Sequence, residues 1–208
     1  MKDYRVIFWD FDGVIKDSLE VKGDAFYGMF EPFGIDVAMR VRDHHERNGG
    51  MSRYEKLPLY LHWSGVQPSP KVVDEFAERF GQIVTNRVID SSWVRGVESY
   101  LRENPYEQTY ILVSATPHDE LLFIVESLRL TECFFEVHGS PLSKQEALHN
   151  AIQLHGFNPD LCLMIGDSLA DYEAANANEV SFLLRRHQTN AGIFADYTGP
   201  SICDFTLS

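Results

Sequence analysis

Positive charge and cysteine are both scarce in this sequence, and each shortage excludes a class of protein. Lysine and arginine number 18 against 31 aspartates and glutamates, which gives a formal net charge of -13. Such a chain binds nucleic acid and anionic membranes poorly, because both carry negative charge. The three cysteines, Cys133, Cys162 and Cys203, have neither the spacing of a zinc site nor the even number of a disulfide framework. The excess of negative charge therefore predicts that the protein has no nucleic-acid or membrane partner.

Long apolar runs are lacking as well. The first apolar stretch ends at Asp10, which makes it too short for a signal peptide, and no segment approaches the length of a membrane-spanning helix. We therefore expect a cytoplasmic protein, either a monomer or a homodimer. The chain has 208 residues, of which 12% are aromatic, so it has the length and apolar surface for one core with a small additional domain.

The pattern of apolar residues changes twice along the chain. Residues 6–9 form a short β-branched and aromatic run, which indicates a buried strand. Helical spacing and capping patterns that start at Asp17, Ser52 and Ser69 then predict helices over residues 18–91, with no strand among them. Short apolar runs at 109–113, 135–138, 161–165 and 180–184 alternate with helical segments at 117–128, 143–155 and 168–177, and a last strand is predicted near 202–206.

Alternation of strands and helices is typical of a parallel sheet covered by helices. The predicted fold class is therefore α/β, with a Rossmann-like parallel-sheet core and an inserted helical domain. We expect residues 1–16 and 92–208 to form the core, and residues 17–91 to form a helical cap.

Polar residues follow four of the predicted strands or begin the helices after them. In an open parallel sheet, ligands bind at the carboxyl ends of the strands. Asp10 and Asp12 follow the first strand, and two like charges so close need a cation or a shared proton. Ser114 follows the second strand, where Thr116 is predicted as the N-cap and Pro117 as the first residue of a helix. A helix start of this kind binds anions.

The other two clusters have the same character. Lys144 lies in a predicted first helical turn, where a positive charge costs up to about 1 kcal/mol unless an anion is near. Asp167 and Asp171 follow the fourth strand and, with Asp10, supply the oxygen ligands that magnesium prefers. Each cluster alone is explained by helix capping or, at Lys144, by a solvated lysine. Capping does not comfortably explain all four in this order.

The ordered set resembles the four motifs of the haloacid-dehalogenase-like hydrolases. Asp10-Phe11-Asp12-Gly13 is similar to their first motif, Ser114 to the second and Lys144 to the third. The segment 166–171, with Asp167 and Asp171, is similar to the fourth, and the helical stretch resembles the cap that many members insert after the first motif. The resemblance spans about residues 4–185 and implies a magnesium-dependent phosphatase.

The resemblance also implies a role for each motif residue. Asp10 is expected to be the nucleophile that becomes an aspartyl-phosphate, and Asp12 the general acid and base. Asp10, the backbone carbonyl of Asp12, and Asp167 are expected to hold Mg2+. Asp171 is expected to orient the water shell of the metal or the lysine, a choice left open. We also expect the charge of Asp10 to raise the pKa of Asp12, which must hold a proton for part of the cycle.

Ser114, Ala115 and Lys144 are then expected to bind the transferred phosphoryl group. The second aspartate favours phosphate-ester hydrolysis over carbon–halogen cleavage, because the dehalogenases of the family generally lack it. The branches that the chain resembles are the helical-cap phosphatases, the phosphoglycolate phosphatases and the beta-phosphoglucomutases. A sugar phosphomutase that uses the same aspartyl-phosphate is the alternative, although its relatives often have a histidine near the position of Lys22.

Substrate choice is expected to lie in the cap. The substrate is predicted to be a small phosphorylated sugar or hydroxy acid. Candidate specificity residues are Lys22, Asn48, Gly49, Arg53 and Lys56. Asn48 and Gly49 are placed to contact hydroxyls, and Arg53 and Lys56 to meet a second anionic group.

The alternative for the two cations is that they are surface charges paired with Glu46 or Glu55. A Schiff-base lysine at Lys22 or Lys56 is a further, weaker alternative.

Overall fold

A single parallel sheet forms the centre of the computed structural model, which describes residues 1–206. The strand order is β3-β2-β1-β4-β5-β6, and every neighbouring pair is parallel. The strands are β1 (Val6–Trp9), β2 (Thr109–Pro117), β3 (Glu136–Ser140), β4 (Cys162–Gly166), β5 (Ser181–Arg185) and β6 (Ser201–Ile202). The α/β class and the Rossmann-like core predicted from the sequence are confirmed.

Eight α-helices lie within residues 1–206. They are α1 (Leu19–Phe30), α2 (Ile35–Arg47), α3 (Arg53–Trp63), α4 (Pro70–Asp90), α5 (Val97–Glu103), α6 (His118–Ser127), α7 (Lys144–His155) and α8 (Leu169–Ala177). The first four follow one another between β1 and β2, as the helical spacing predicted. In the part of the chain that is described, no helix has both the length and the apolarity to cross a membrane.

Strand β2 is longer than predicted, and this moves the start of the following helix. Thr116 was expected to cap that helix and Pro117 to be its first residue, but β2 continues to Pro117, which pairs with Ser140 of β3. Helix α6 begins only at His118. The predicted cap is wrong because the hydroxyl of Thr116 is used elsewhere, at the carboxylate of Asp12.

Three other boundaries differ from the sequence prediction. The N-cap of α1 is Ser18 rather than Asp17, and its hydroxyl donates to Asp12 and accepts no hydrogen bond from the N–H groups of the helix. Helix α5 was not predicted, because its 7 residues are too few to show a helical period. The last strand covers Ser201–Ile202 only, rather than the predicted 202–206.

The four inserted helices pack around an aromatic cluster of their own. The rings of Phe26 and Phe80 stack with centroids 3.9 Å apart, and Tyr60 meets Phe26 edge-on at 5.3 Å. Burying such rings is the main source of stability for helices that have no sheet to cover. We propose that this unit is the cap, joined to the core through two adjacent segments where Lys16 bridges to Trp93.

Candidate active site

The carboxyl ends of β1 and β4 bring three buried aspartates together. Asp10 follows β1, and Asp167 and Asp171 follow β4. One carboxylate oxygen of each lies within 4.8 Å of the others. Lys144, at the start of α7, places its Nζ 2.7 Å from Oδ1 of Asp10 and 2.6 Å from Oδ1 of Asp171. Residues from the first, third and fourth predicted clusters therefore meet at one point.

Negative charge exceeds positive charge at this point. Burial, and then the charge of Asp171, raise the pKa of Asp10 well above its usual range, although Lys144 lowers it. Burial and Asp171 also raise the pKa of Asp167 to about 7. Burial lowers the pKa of Lys144, but the charges of Asp10 and Asp171 outweigh it and raise the value overall. A set of carboxylate oxygens with one lysine among them fits a hard divalent cation such as Mg2+.

Asp171 has both oxygens occupied by other groups. Its Oδ1 accepts from Lys144, and its Oδ2 accepts from the backbone N–H of Ser168 at 3.0 Å and from the hydroxyl of Ser168 at 2.6 Å. The carboxylate therefore holds Lys144 in place and caps α8 at the same time. Of the two expectations for Asp171, this geometry favours orienting Lys144.

Two glycines allow this close approach of backbone and carboxylates. Gly13 has φ +78°, a left-handed conformation, and a Cβ there would overlap the carboxylate of Asp167. A Cβ at Gly166 would overlap the side chain of Asp171. The glycines of the first and fourth motifs are therefore required by the packing of the aspartates.

Asp12 lies in contact with three donors beside this cluster. The hydroxyl of Ser18 donates to Oδ1 at 2.6 Å, and Nζ of Lys22 lies 2.5 Å from Oδ2. Nζ of Lys22 also donates to Oγ1 of Thr116 at 3.0 Å, and that hydroxyl lies 3.3 Å from Oδ2. Asp12 is thus held from both the core and the first cap helix.

The pKa of Asp12 is lowered, so the expectation that it is raised by Asp10 is wrong. Burial does raise it, but the charge and hydrogen bond of Lys22, with the hydrogen bond from Ser18, lower it by more. The sequence showed the neighbouring acid but not the lysine that the fold brings to it. In this arrangement Asp12 is a carboxylate paired with an ammonium.

Ser114 and Ala115 lie in the last part of β2, next to the cluster. Ser114 is buried, and its hydroxyl accepts a hydrogen bond from the backbone N–H of Thr116 at 3.1 Å. Ala115 lines the same cavity as Lys144 and Asp167. The structure places both residues beside the site, and their phosphate-binding role stays a prediction.

A cavity of about 620 Å³ opens between the cap and this site. Residues 45–52 line its cap side together with residues 19–20 and 54–55, and they include the predicted residues Asn48 and Gly49. The core side includes Lys144, Asp167 and His187. Its size suits a small ligand.

Arg53 and Lys56 are buried, so the alternative that they are surface charges is wrong. Nη2 of Arg53 lies 2.7 Å from Oε1 of Glu120 on α6, and the guanidinium also covers the ring of Phe80 at 4.7 Å. Nζ of Lys56 lies 3.0 Å from Nδ1 of His45. Neither cation pairs with the two glutamates that the sequence offered as partners. Neither they nor Lys22 belong to the residues that line the cavity.

The sequence analysis missed a group that positions Asp167. Nε2 of His187 lies 2.8 Å from Oδ2 of Asp167, and the side chain of Asn190 donates to its backbone carbonyl at 2.9 Å. Both residues come just after β5. The rule that polar residues gather at strand ends applied to this segment as well, and could have found them.

The comparisons with known proteins agree with the fold and with the family that the sequence resembles. The family model described as haloacid dehalogenase-like hydrolase matches residues 4–178. No curated protein sequence matches the chain.

Solved structures resemble the chain at low sequence identity. A beta-phosphoglucomutase from Clostridium difficile has a TM-score of 0.77 and 19% identity, and the match covers 97% of this chain and 92% of that one. A haloacid dehalogenase-like family hydrolase from Streptococcus pneumoniae has a TM-score of 0.71 and 17% identity, over 97% and 94% of the two chains. A mutant CbbY from Rhodobacter sphaeroides, in complex with xylulose-1,5-bisphosphate, has a TM-score of 0.74 and 12% identity, over 97% and 95%. At these identities the similarity establishes the fold.

Proposed function

Because the chain belongs to the haloacid dehalogenase-like hydrolases, we propose that it is a magnesium-dependent phosphatase acting through an aspartyl-phosphate on Asp10. The observation that carries the proposal is the position of Asp10, buried at the end of β1 with its carboxylate 2.7 Å from Nζ of Lys144. A phosphoryl group needs positive charge around its oxygens before a carboxylate can attack it. Lys144 supplies such a charge at the nucleophile itself.

The reaction then has two steps. In the first, an oxygen of Asp10 bonds to phosphorus while the bond from phosphorus to the leaving-group oxygen breaks, and that oxygen takes up the proton of Asp12, which becomes a carboxylate. In the second, water attacks the phosphorus, the bond to Asp10 breaks, and the water proton passes to Asp12. Free phosphate and the alcohol are the products.

Asp12 is placed for the proton transfers by groups from both domains. Thr116 holds its carboxylate from the core, and Ser18 holds it from the start of α1. Lys22 approaches it from within α1. In the second step Asp12 must be a carboxylate to accept the proton of water, which is the form that the ion pair with Lys22 favours. The ammonium of Lys22 also offsets negative charge on the leaving-group oxygen in the first step.

Asp10 and Asp167, with the backbone carbonyl of Asp12, are the groups that would hold Mg2+. The ion supplies charge neutralisation at the phosphoryl oxygens when it is bound. The fit rests on the donor set, which is buried and rich in oxygen and carries more negative than positive charge. His187 holds Asp167 in position from the other side.

The substrate that we propose is a small phosphorylated metabolite, such as a sugar phosphate or a phosphoglycolate-like acid. The cavity of about 620 Å³ supports a small leaving group. The CbbY relative binds a sugar bisphosphate by its own description, and its fold is shared here. Since Arg53 is paired with Glu120 outside the cavity lining, a second phosphate is not required by the geometry.

The test is phosphate release from a panel of sugar phosphates, phosphoglycolate and phenyl phosphate. Each compound is assayed with magnesium, with a chelator, and with the variant Asp10→Asn. The matched control is Asp3→Asn, which makes the same change at an exposed aspartate. We expect metal-dependent release by the wild type and the control, and none by Asp10→Asn.

Two outcomes contradict the proposal. Phosphate release that persists in Asp10→Asn rules out an aspartyl-phosphate intermediate on Asp10. Conversion of a sugar phosphate to its isomer with a bisphosphate activator, and without free phosphate, establishes the phosphomutase alternative. Trapping of 32P on Asp10 does not separate the two, so the products must be measured.

A further inference from the structure

The cap contains a buried lysine whose nearest polar partner is a histidine. Lys56 is 1% exposed, and its Nζ lies 3.0 Å from Nδ1 of His45, which is 5% exposed. Within residues 1–206, no carboxylate lies at ion-pair distance from Lys56. Burial of an ammonium without an acid is costly, so the arrangement calls for a reason beyond packing.

The contact fixes which nitrogen of His45 carries the ring proton. Burial, and then the charges of Lys56 and Lys22, lower the pKa of His45 well below its usual value, so the ring is neutral. Burial, and then the charge of Lys22, lower the pKa of Lys56 to about 7, so below pH 7 this side chain is an ammonium, which has only donors. In that pH range Nδ1 of His45 must accept and the ring proton must lie on Nε2. His45 is therefore a fixed N–H donor at Nε2.

His45 presents this donor to the substrate cavity. It is one of the residues that line the cavity, whereas Lys56 lies behind it and is not. Among the described residues, Nε2 of His45 has no hydrogen-bond partner. The atom is not fully buried either. The ring of His45 packs against that of Phe26 with centroids 5.0 Å apart, and Phe26 lies one turn along α1 from Lys22, which contacts Asp12. The donor therefore lies on the side of the cavity where a leaving group would sit.

We infer that His45 donates a hydrogen bond from Nε2 to an oxygen of the leaving group, and that Lys56 positions it by fixing the tautomer. This inference rests on the proposed function and adds a specificity residue to it. The shared chemistry is an acceptor oxygen on the leaving group, either a hydroxyl of a sugar phosphate or a carboxylate of a phosphorylated hydroxy acid. A leaving group without such an oxygen gains nothing from His45.

The first test compares kcat/KM on three esters. Phenyl phosphate has no second oxygen on its leaving group, phosphoglycolate carries a carboxylate, and ribose 5-phosphate carries hydroxyls. We expect His45→Leu to lower kcat/KM on one oxygenated ester by about ten-fold, the size of one hydrogen bond, and to leave phenyl phosphate within about two-fold. His45→Gln, which keeps a donor, should recover part of the loss. Whichever oxygenated ester responds identifies hydroxyl or carboxylate as the acceptor.

The matched control is the neighbouring histidine on the same helix. His44 bonds the hydroxyl of Tyr60 at 3.0 Å and does not line this cavity. We expect His44→Leu to leave the ratio between the oxygenated ester and phenyl phosphate unchanged. A loss by His45→Leu that is equal on all three esters overturns the inference, as does the same change of ratio in His44→Leu.

The second test needs no activity. Long-range 1H–15N correlation spectra of the folded protein, recorded below pH 7 where Lys56 is an ammonium, should show His45 with a proton on Nε2 and a bare Nδ1. In Lys56→Met the two tautomers should mix, and kcat/KM on the responding ester should fall while phenyl phosphate is unchanged. A proton on Nδ1 in the wild type overturns the inference. A wild type that releases no phosphate from any ester refutes the proposed function instead, and the spectrum then decides the inference by itself.

Discussion

The ion pair between Arg53 of the cap and Glu120 of the core should be a main element holding the two units together. The nitrogen and oxygen lie 2.7 Å apart, and the two side chains are only 6% and 14% exposed. Glu120→Gln keeps the size of the side chain and removes its charge, so it leaves a buried guanidinium without its acid. Removing one partner of a buried pair usually costs about 3–5 kcal/mol.

The cost here should be at the low end of that range. Arg53 keeps a hydrogen bond to the carbonyl of Ala77 at 3.2 Å and its contact with the ring of Phe80. We therefore expect Glu120→Gln to lower the free energy of unfolding by about 3 kcal/mol. Combining it with Arg53→Met should recover part of that loss, because the second change removes the unpaired charge.

Urea unfolding followed by circular dichroism measures these free energies. With the slope expected for a chain of this size, the midpoint of Glu120→Gln should fall by about 1 M. The matched control is Glu98→Gln, because Glu98 pairs with Arg102 at 3.0 Å but the side chains are 43% and 39% exposed. An exposed pair of this kind is worth less than about 1 kcal/mol.

A third substitution approaches the same pair from α4. A Cβ at Gly81 would lie 2.9 Å from Nη1 of Arg53 and 2.9 Å from Oε2 of Glu120. In a helix, alanine is favoured over glycine by up to about 1 kcal/mol. Gly81→Ala would therefore stabilise the protein if the space beside Gly81 were empty. We expect destabilisation instead. Stabilisation by Gly81→Ala, or a loss below about 1 kcal/mol in Glu120→Gln, would refute the reasoning.

Three further predictions concern the site and the cap. Lys22→Met should lower kcat by about ten-fold or more, because it removes the ammonium from Asp12; unchanged kcat contradicts this. Gly13→Ala should displace Asp167 and abolish turnover, and titration should show weakened Mg2+ binding. Burial, and then the charge of Lys22, lower the pKa of Lys56 to about 7. Above pH 7 the unfolded lysine keeps a proton that the folded one loses, so stability rises with pH. Lys56→Met should weaken this rise between pH 7 and 10 in urea unfolding.

Several features of the molecule could be predicted from local patterns. The strand at residues 6–9, the helices over residues 18–91 and the alternation after them are visible in the apolar spacing, because burial on one face imposes a period on the sequence. The meeting of Asp10, Lys144 and Asp167 was also predictable. In a parallel sheet the strand ends share one edge, so residues that follow strands come together however far apart they are in the chain.

The end of β2 shows where local patterns fail. A threonine followed by a proline indicates a helix start, and nothing near Thr116 in the sequence shows that its hydroxyl will be needed at Asp12, 104 residues away. The competing partner lies in the segment that follows another strand, β1. Only the fold decided between the two uses of the side chain.

The sequence by itself determined the family, the parallel-sheet core and the aspartates and lysine at its edge, because motif order and apolar period are properties of the chain alone. The tertiary structure decided which charges are neighbours. It placed Lys22 on Asp12, Arg53 on Glu120 and Lys56 behind His45. The physical reason is that the pKa and the partner of a charged group depend on burial and on distances across space, which the spacing of residues along the chain does not contain.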